Sequence, residues 1–483
     1  MAGDEVWVVP GAPLPAGGGW RIWYSRGGTD DFVPAPITVL RRDQPEAFTL
    51  QWSPLDPYPG LKRRMGVLEV RLAQTAPGDT YDLIIPETPA RRYRWKSMPD
   101  SIVEGAAFVL ASCFWLPDDK DGNYAAGLRQ LTKIEQPAFK LLIGDQVYQD
   151  WPPNLKPLHD AVGRYQRRYD QYWGHPAYQE VLTASPNFFT GDDHEFWNGF
   201  PERAFQVPFT LTERGRQDNA RAARALFHYY QTVNNPTGRA WFDFSVGPVS
   251  FFVSDSRSER THFKIDDPHF FSEEQWQALE GWARRLTGPG VLVLGQPLFG
   301  KKGDWKEPAL RDYEGDFVRL CGVFETALAG GGEDGLPHDI LILTGDIHRA
   351  RHFTATLAGM PGTGEVHELV SSAASQIGPA IKSPHIDDDA LKFTVARDAA
   401  SGPRTWDARP VALIPDLMPS ADNNLAVIRM TPGTRSADTG QPRVRFTLAI
   451  WSLRPFAKVW SRLLHRARPK SLSRLYEKEL ELR

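Results

Sequence analysis

The stretch KLLIGDQVYQD, Lys140–Asp150, decides how the rest of the chain is read. Its apolar run, Leu141 to Ile143, halts at Gly144. Two carboxylates, Asp145 and Asp150, follow, with the phenol of Tyr148 between them. The run predicts a short buried strand, and the glycine lets the backbone turn sharply where that strand leaves its sheet. Acidic residues placed there stand at the mouth of a sheet, where open α/β folds collect their ligands. Taken alone, Asp145 is more simply a loop aspartate that caps the next helix.

The same pattern recurs from Ala106 onward. AAFVLASC ends at Cys113, NFFTGDDHE in three acids and His194, and VSFFVSDSR in Asp255 and Arg257. GVLVLGQ ends at Gln296, DILILTGDIH at Asp346 and His348, and HELVSSAAS in serines. Strands buried on both faces read as continuous apolar runs of this kind when helices cover the sheet. Helical segments alternate with them. Ser272–Leu286 opens with a Ser-Glu-Glu-Gln capping box and sets Trp276, Leu279, Ala283 and Leu286 on one face. Phe317–Leu328 does the same with Phe317, Leu320, Cys321, Phe324 and Leu328. Two further helical stretches, about 155–184 and 211–233, are rich in Arg, Gln and Tyr.

The two ends differ from this middle. Residues 1–100 carry short alternating or aromatic segments (Trp20–Tyr24, Ile37–Leu40, Phe48–Trp52, Val67–Leu72, Tyr81–Ile85) between Gly- and Pro-rich turns, and predict an all-β sandwich. PETPARRYRWKSMPD then reads as a connector. A catalytic α/β domain is expected over 101–400. In 401–483, Leu425–Arg429 and Val444–Trp451 read as strands. The segment from Arg454 to Lys470 is basic and aromatic and reads as a helical tail. It suits either docking on the body of the protein, which is the commoner arrangement, or an interfacial helix on anionic lipid.

Composition removes several classes of function. The 483 residues include 41% hydrophobic and 24% charged, an ordinary globular balance, and the net charge of −3 gives no general attraction to nucleic acid. No apolar run is long enough for a membrane span. The N-terminus has no basic or apolar export pattern, so a cytoplasmic location is expected. Two cysteines make no disulfide framework.

Polar side chains at the ends of five or six strands converge in space if those strands share a sheet edge. Cys113, Asp145, Asp193, Asp346 and His348 together offer soft, hard and borderline donors, the mixture that two unlike metal ions need. Such a pair clamps the attacking and leaving oxygens of an in-line displacement, which points to hydrolysis of a phosphate ester.

In order, ASC, GDQVY, GDDHE, DSR, LGQP and GDIHRA resemble the block pattern of PhoD-like alkaline phosphatases and phosphodiesterases, a branch of the calcineurin-like metallophosphoesterases. The blocks span roughly residues 106–375. The first and last metal blocks depart from the wider superfamily, with Ser112-Cys113 and Gly345-Asp346-Ile347-His348, in the manner of the PhoD-like branch. Gln296 stands where a histidine is usual.

The resemblance implies a four-layer αββα sandwich behind an N-terminal β-sandwich domain. It also implies Fe3+ held by Cys113, Asp145, Asp346 and His348, and Ca2+ sharing Asp145 and touching Tyr148 and Asp193; Zn2+ or Mn2+ suits a reducing compartment. By the same resemblance His194 is the proton donor to the leaving oxygen. Arg257 is the candidate grip on a phosphate oxygen, with Arg349 and Gln296 as further substrate contacts.

Simpler readings stand beside these roles. Cys113 alone is more often a small buried hydrophobe. One of Asp192 and Asp193 caps the following turn. Arg257 is open to a structural pair with Asp255 or Glu259. Gln296 is equally a partner for a second-layer water, and Asp150, His352 and Asp312 carry no role. The rival for the whole chain is a non-catalytic binding member docking at a membrane through its basic tail. Complete retention of Cys113, Asp145, Asp346 and His348 speaks for the enzyme, and no Gly-x-Ser-x-Gly elbow supports a serine esterase.

Overall fold

The structure is a computed structural model. It describes residues 5–86, 91–119, 121–153, 160–303, 308–360, 362–375, 389–395, 402–413, 423–435, 441–453 and 472–483. The basic tail segment around 454–470 lies outside the described residues.

Eight strands come first: β1 (Val6–Leu14), β2 (Gly19–Gly27), β3 (Thr38–Arg41), β4 (Gln44–Pro45), β5 (Phe48–Pro54), β6 (Arg63–Leu72), β7 (Thr80–Ile85) and β8 (Arg91–Lys96). They make two antiparallel four-stranded sheets, ordered β1-β2-β6-β5 and β4-β3-β7-β8. Trp20, Ile22 and Val70 from one sheet meet Val39, Leu83 and Trp95 from the other in one core. The strand β8 corrects the reading of PETPARRYRWKSMPD as a connector. Its Arg92 and Arg94 project onto Asp82 of β7, a charge match that pins an edge too polar to read as a strand.

The rest of the chain builds a second sandwich. One sheet holds β9 (Ala106–Ala111), β10 (Phe139–Ile143) and β11 (Asn187–Thr190), which are parallel. The other contains β12 (Phe242–Val246), β13 (Val249–Val253), β14 (Gly290–Val293), β15 (Ile340–Thr344), β16 (Arg351–Leu357), β17 (Val366–Val370), β18 (Leu391–Val395) and β19 (Arg404–Leu413). Of these, β13, β14, β15 and β17 run parallel as neighbours. The C-terminal strands β20 (Asn424–Arg435), β21 (Pro442–Ser452) and β22 (Ser473–Leu482) complete the first sheet in the order β11-β10-β9-β20-β21-β22. Strand β22 was not anticipated. Its signal is short, with Leu480 and Leu482 buried two residues apart in a run otherwise crowded with charge.

Period-two burial explains the layers. In β13, Phe251 and Val253 enter the core between the sheets, whereas Phe252 points outward onto helix α5 (Glu273–Arg284). In β15, Leu341 and Leu343 face in, and Ile340 and Ile342 face α6 (Glu314–Leu328). Across the first sheet, Val109 and Leu142 face helices α1 (Asn123–Glu135), α2 (Ala161–Trp173), α3 (Pro176–Thr183) and α4 (Glu213–Tyr230). The stack is a four-layer αββα sandwich beside an N-terminal β-sandwich. The helical stretch expected near 155–184 is two helices, divided at Gly174-His175-Pro176, where the proline starts the second. Ser272 caps α5 by accepting from Gln275 N, as its sequence predicts. No helix among the described residues is long and apolar enough to cross a membrane.

Candidate metal centre

Cys113, Asp145, Asp192, Asp255, Asp346 and Ser372 each stand two residues beyond the end of a parallel strand. Shared direction therefore brings them to one rim. The two sheets are tied together there: Ser112 Oγ donates to Ser371 O at 3.0 Å, and Thr190 Oγ1 to Ser254 O at 2.5 Å. Gly144 has φ +77, and a side-chain carbon on it would lie 2.4 Å from Asp192 Cβ, so the two acid-bearing loops pass in direct contact.

Four of the implied ligands sit in left-handed backbone: Cys113 at φ 55, Asp145 at 55, Asp346 at 67 and His348 at 52. This conformation costs roughly 1–2 kcal/mol per residue outside glycine. The surroundings hold it, and strain of this kind concentrates at functional sites. Glu195 is the chief clamp. Its carboxylate accepts from Asp145 N at 2.8 Å, Gln146 N at 2.7 Å and Asp192 N at 2.9 Å.

Among the described residues three donor groups overlap, each with ligand atoms within 4.8 Å of one another: Cys113, Asp145 and His348; Asp145, Asp193 and His194; Asp145, Asp192, Asp193 and Asp346. Asp145 belongs to all three. Asp346 thus groups with the acidic pair more closely than with the thiol. Tyr148 Oη lies 3.5 Å from Asp145 Oδ2 and 3.2 Å from His348 Nε2, so it reaches the common aspartate and the imidazole. The arrangement fits bound cations. Asp192 Oδ2 and Asp193 Oδ1 are buried without a hydrogen-bond partner, a costly state unless a positive charge meets them.

Electrostatics follow from burial in a crowd of acids. Burial and then the Asp145 charge push the Cys113 thiol up, and burial and then Cys113 do the same to Tyr148. Ser372 Oγ donates to Cys113 Sγ at 3.1 Å. Burial drives His348 down to about 4, leaving a neutral imidazole able to act as a ligand. His194 behaves oppositely: burial opposes its charge, but Asp150, Asp193 and Asp145 outweigh burial and hold it well above the ordinary value. Its Nδ1 is 2.7 Å from Asp150 Oδ1, and Asp150 Oδ2 accepts from Asn198 N at 2.9 Å.

Arg257 is fully buried, its Nε bonded to Asp192 and a terminal nitrogen to Phe200 O at 3.1 Å. Its ion-pair partner is therefore neither Asp255 nor Glu259. Gln296 donates to Asp346 Oδ2 at 3.2 Å and accepts from Arg260 at 3.0 Å, so it braces a ligand carboxylate. Arg349 is half-buried beside His348. Asp312 accepts from Gly303 N and Ala309 N, both at 2.8 Å, a loop-shaping role. His352 lies away from the rim, between His367 and Tyr476. The linking roles of Asp150, Glu195 and Asp192 were missed, because each partner is dozens of residues away or a backbone group.

The four-layer sandwich gathers a thiol, imidazoles and several carboxylates at one rim of its strand ends. Residues 108–291 match the family model described as PhoD-like phosphatase. The solved structure of PhoD is 16% identical, with a TM-score of 0.53 over 97% of this chain and 91% of that one. GAP50, the anchor in the inner membrane complex of Plasmodium, is 12% identical over 77% of this chain and 89% of its own, with a TM-score of 0.36. No curated protein sequence matches the chain.

Proposed function

We propose that this chain hydrolyses phosphate esters at the rim built on Asp145, with two cations held among Cys113, Asp145, Tyr148, Asp193, Asp346 and His348, and Asp145 shared between them. The observation that carries the reading is the membership of Asp145 in all three donor groups. The thiol and imidazole suit iron, and the carboxylates and phenol suit calcium; zinc or manganese also accept these donors. When bound, the cations supply Lewis acidity and make a water nucleophilic at neutral pH.

The chain's own residues do the rest. His194, kept protonated by Asp150 and its acidic neighbours, donates from its free nitrogen to the leaving oxygen. Asp150 fixes the ring by holding Nδ1, so the nitrogen facing the rim is Nε2. Arg257 neutralises Asp192 and keeps the acidic loop folded against Phe200, a positioning role.

Elemental analysis of the protein as isolated, paired with monoester and diester assays, tests the proposal. About two metal equivalents and hydrolysis abolished by chelation are expected. Metal-replete protein without esterase activity on either class would overturn it.

A further inference from the structure

The far end of β10 opens on a second cleft, of about 660 Å³, between the N-terminal β-sandwich and the helices of the catalytic sandwich. The turn between β3 and β4 supplies Arg42, strands β7 and β8 supply Asp82, Arg94 and Lys96, and the ends of α1 and α3 supply Lys133 and Ser185. It lies at the opposite end of the sheet from the metal rim: from Lys140 to Asp145 is about 17 Å of extended chain.

Its charges do not balance. The acids Asp43 and Asp82 are already taken, Asp43 by Arg92 and Asp82 by Arg92 and Arg94. Arg42, Lys96 and Lys133 have no carboxylate partner among the described residues. Two helices, α1 and α3, end here, and their C-terminal dipoles together offset about one charge, so an excess of about two remains. A second observation agrees. Directly behind the wall, the Lys140 amine is fully buried and bonds Ser185 Oγ at 3.1 Å and Ser185 O, and burial holds its pKa well below the ordinary value. Burial favours its neutral form, and an anion in the cleft favours the ammonium. Burial, and then the neighbouring Arg429, hold Lys96 below its ordinary value, a penalty that an anion relieves. The volume falls in the range of small-molecule pockets.

We infer that this cleft binds a small oligoanion carrying two or more phosphate groups, recognised by Arg42, Lys96 and Lys133. The site is separate from the metal rim and does not depend on the hydrolytic reading.

Calorimetry with inorganic tripolyphosphate at 0.15 M ionic strength, where weak surface attraction is screened, tests it on the full chain. In Asp145→Asn, which removes the shared ligand of the rim, the Kd should be unchanged. In Lys96→Gln/Lys133→Gln it should weaken at least tenfold, with the melting temperature and phosphate-ester hydrolysis as in the parent. Arg42→Ala, on an exposed turn, should weaken it several-fold by itself. Binding abolished by Asp145→Asn, binding undiminished in the double variant, or no binding at millimolar ligand would each overturn the inference.

Discussion

The Nδ1 of His194 and the Oδ1 of Asp150 stand 2.7 Å apart, a buried pair whose members are 44 residues apart in the chain. Asp150 is one of the largest influences holding His194 protonated, so the pair sets both the ring's orientation and its charge. Asp150→Asn should lower kcat by about 10–100-fold, at or below the roughly 100–10,000-fold that a positioned acid contributes, and leave metal content intact. Loss of the carboxylate lets the His194 pKa fall. The alkaline limb of the rate profile, where a protonated His194 is required, should therefore move to lower pH. A pH–rate profile with metal analysis checks both; an unmoved limb would remove His194 from the acid role.

Glu195 predicts a different phenotype. It accepts from three backbone amides of the two acid-bearing loops and from Gln231 Nε2 at 3.2 Å. Glu195→Gln keeps the shape but turns one acceptor into a donor facing an N–H or the Gln231 amide. The expected cost is about 1–3 kcal/mol of stability, the penalty of unsatisfied buried groups. Metal affinity should fall with it, because Asp145 is held in its left-handed conformation from this carboxylate. Denaturant unfolding and metal titration on the same sample measure the two effects.

Much of this was legible in the sequence because the parallel strands announce their ends. LLIGD, FFTGDD and LILTGD each place an acid two residues beyond a buried run, and strand direction alone then gathers Asp145, Asp192 and Asp346. What the sequence hides is partner choice in loops. Asp150 and His194 meet across two loops, and Arg257 reaches Asp192, 65 residues back, rather than the acids beside it. Strand β8 was hidden for another reason: four of its six residues are Arg or Lys, and Asp82 on the neighbouring strand supplies the compensation.

That same Arg257 pairing separates two roles by experiment. A residue gripping substrate would raise KM on substitution and leave the fold intact. Arg257 is closed to solvent and pairs with a buried carboxylate, so Arg257→Gln should strand the Asp192 charge. Breaking a buried pair from one side typically costs about 3–5 kcal/mol. Arg257→Lys should recover part of the stability but not the bond to Phe200 O. Equilibrium unfolding beside steady-state kinetics decides: a large KM change without destabilisation would return Arg257 to the substrate.

The buried histidine pair gives the fold a pH dependence of its own. His352 Nε2 and His367 Nδ1 are 3.4 Å apart between the sheets. His352 also meets Tyr476 Oη at 2.9 Å, and His367 faces Glu365 at 3.5 Å. Burial, then the partner imidazole and Lys478, lower His352 to about 3; burial and then Lys478 lower His367 to about 4. Both are neutral in the fold, whereas in the unfolded chain they titrate near 6.5. The unfolded state therefore binds more protons between about pH 4 and 6.5. Stability is fully present above that window and is lost as pH falls through it. At about 1.4 kcal/mol per unit, the pair accounts for an acid loss of a few kcal/mol. His352→Gln/His367→Gln should flatten the curve of stability against pH over this interval relative to the parent. Urea unfolding at pH 7.5, 6, 5 and 4.5 measures the difference directly, and parallel curves for parent and variant would show that other groups carry the acid transition.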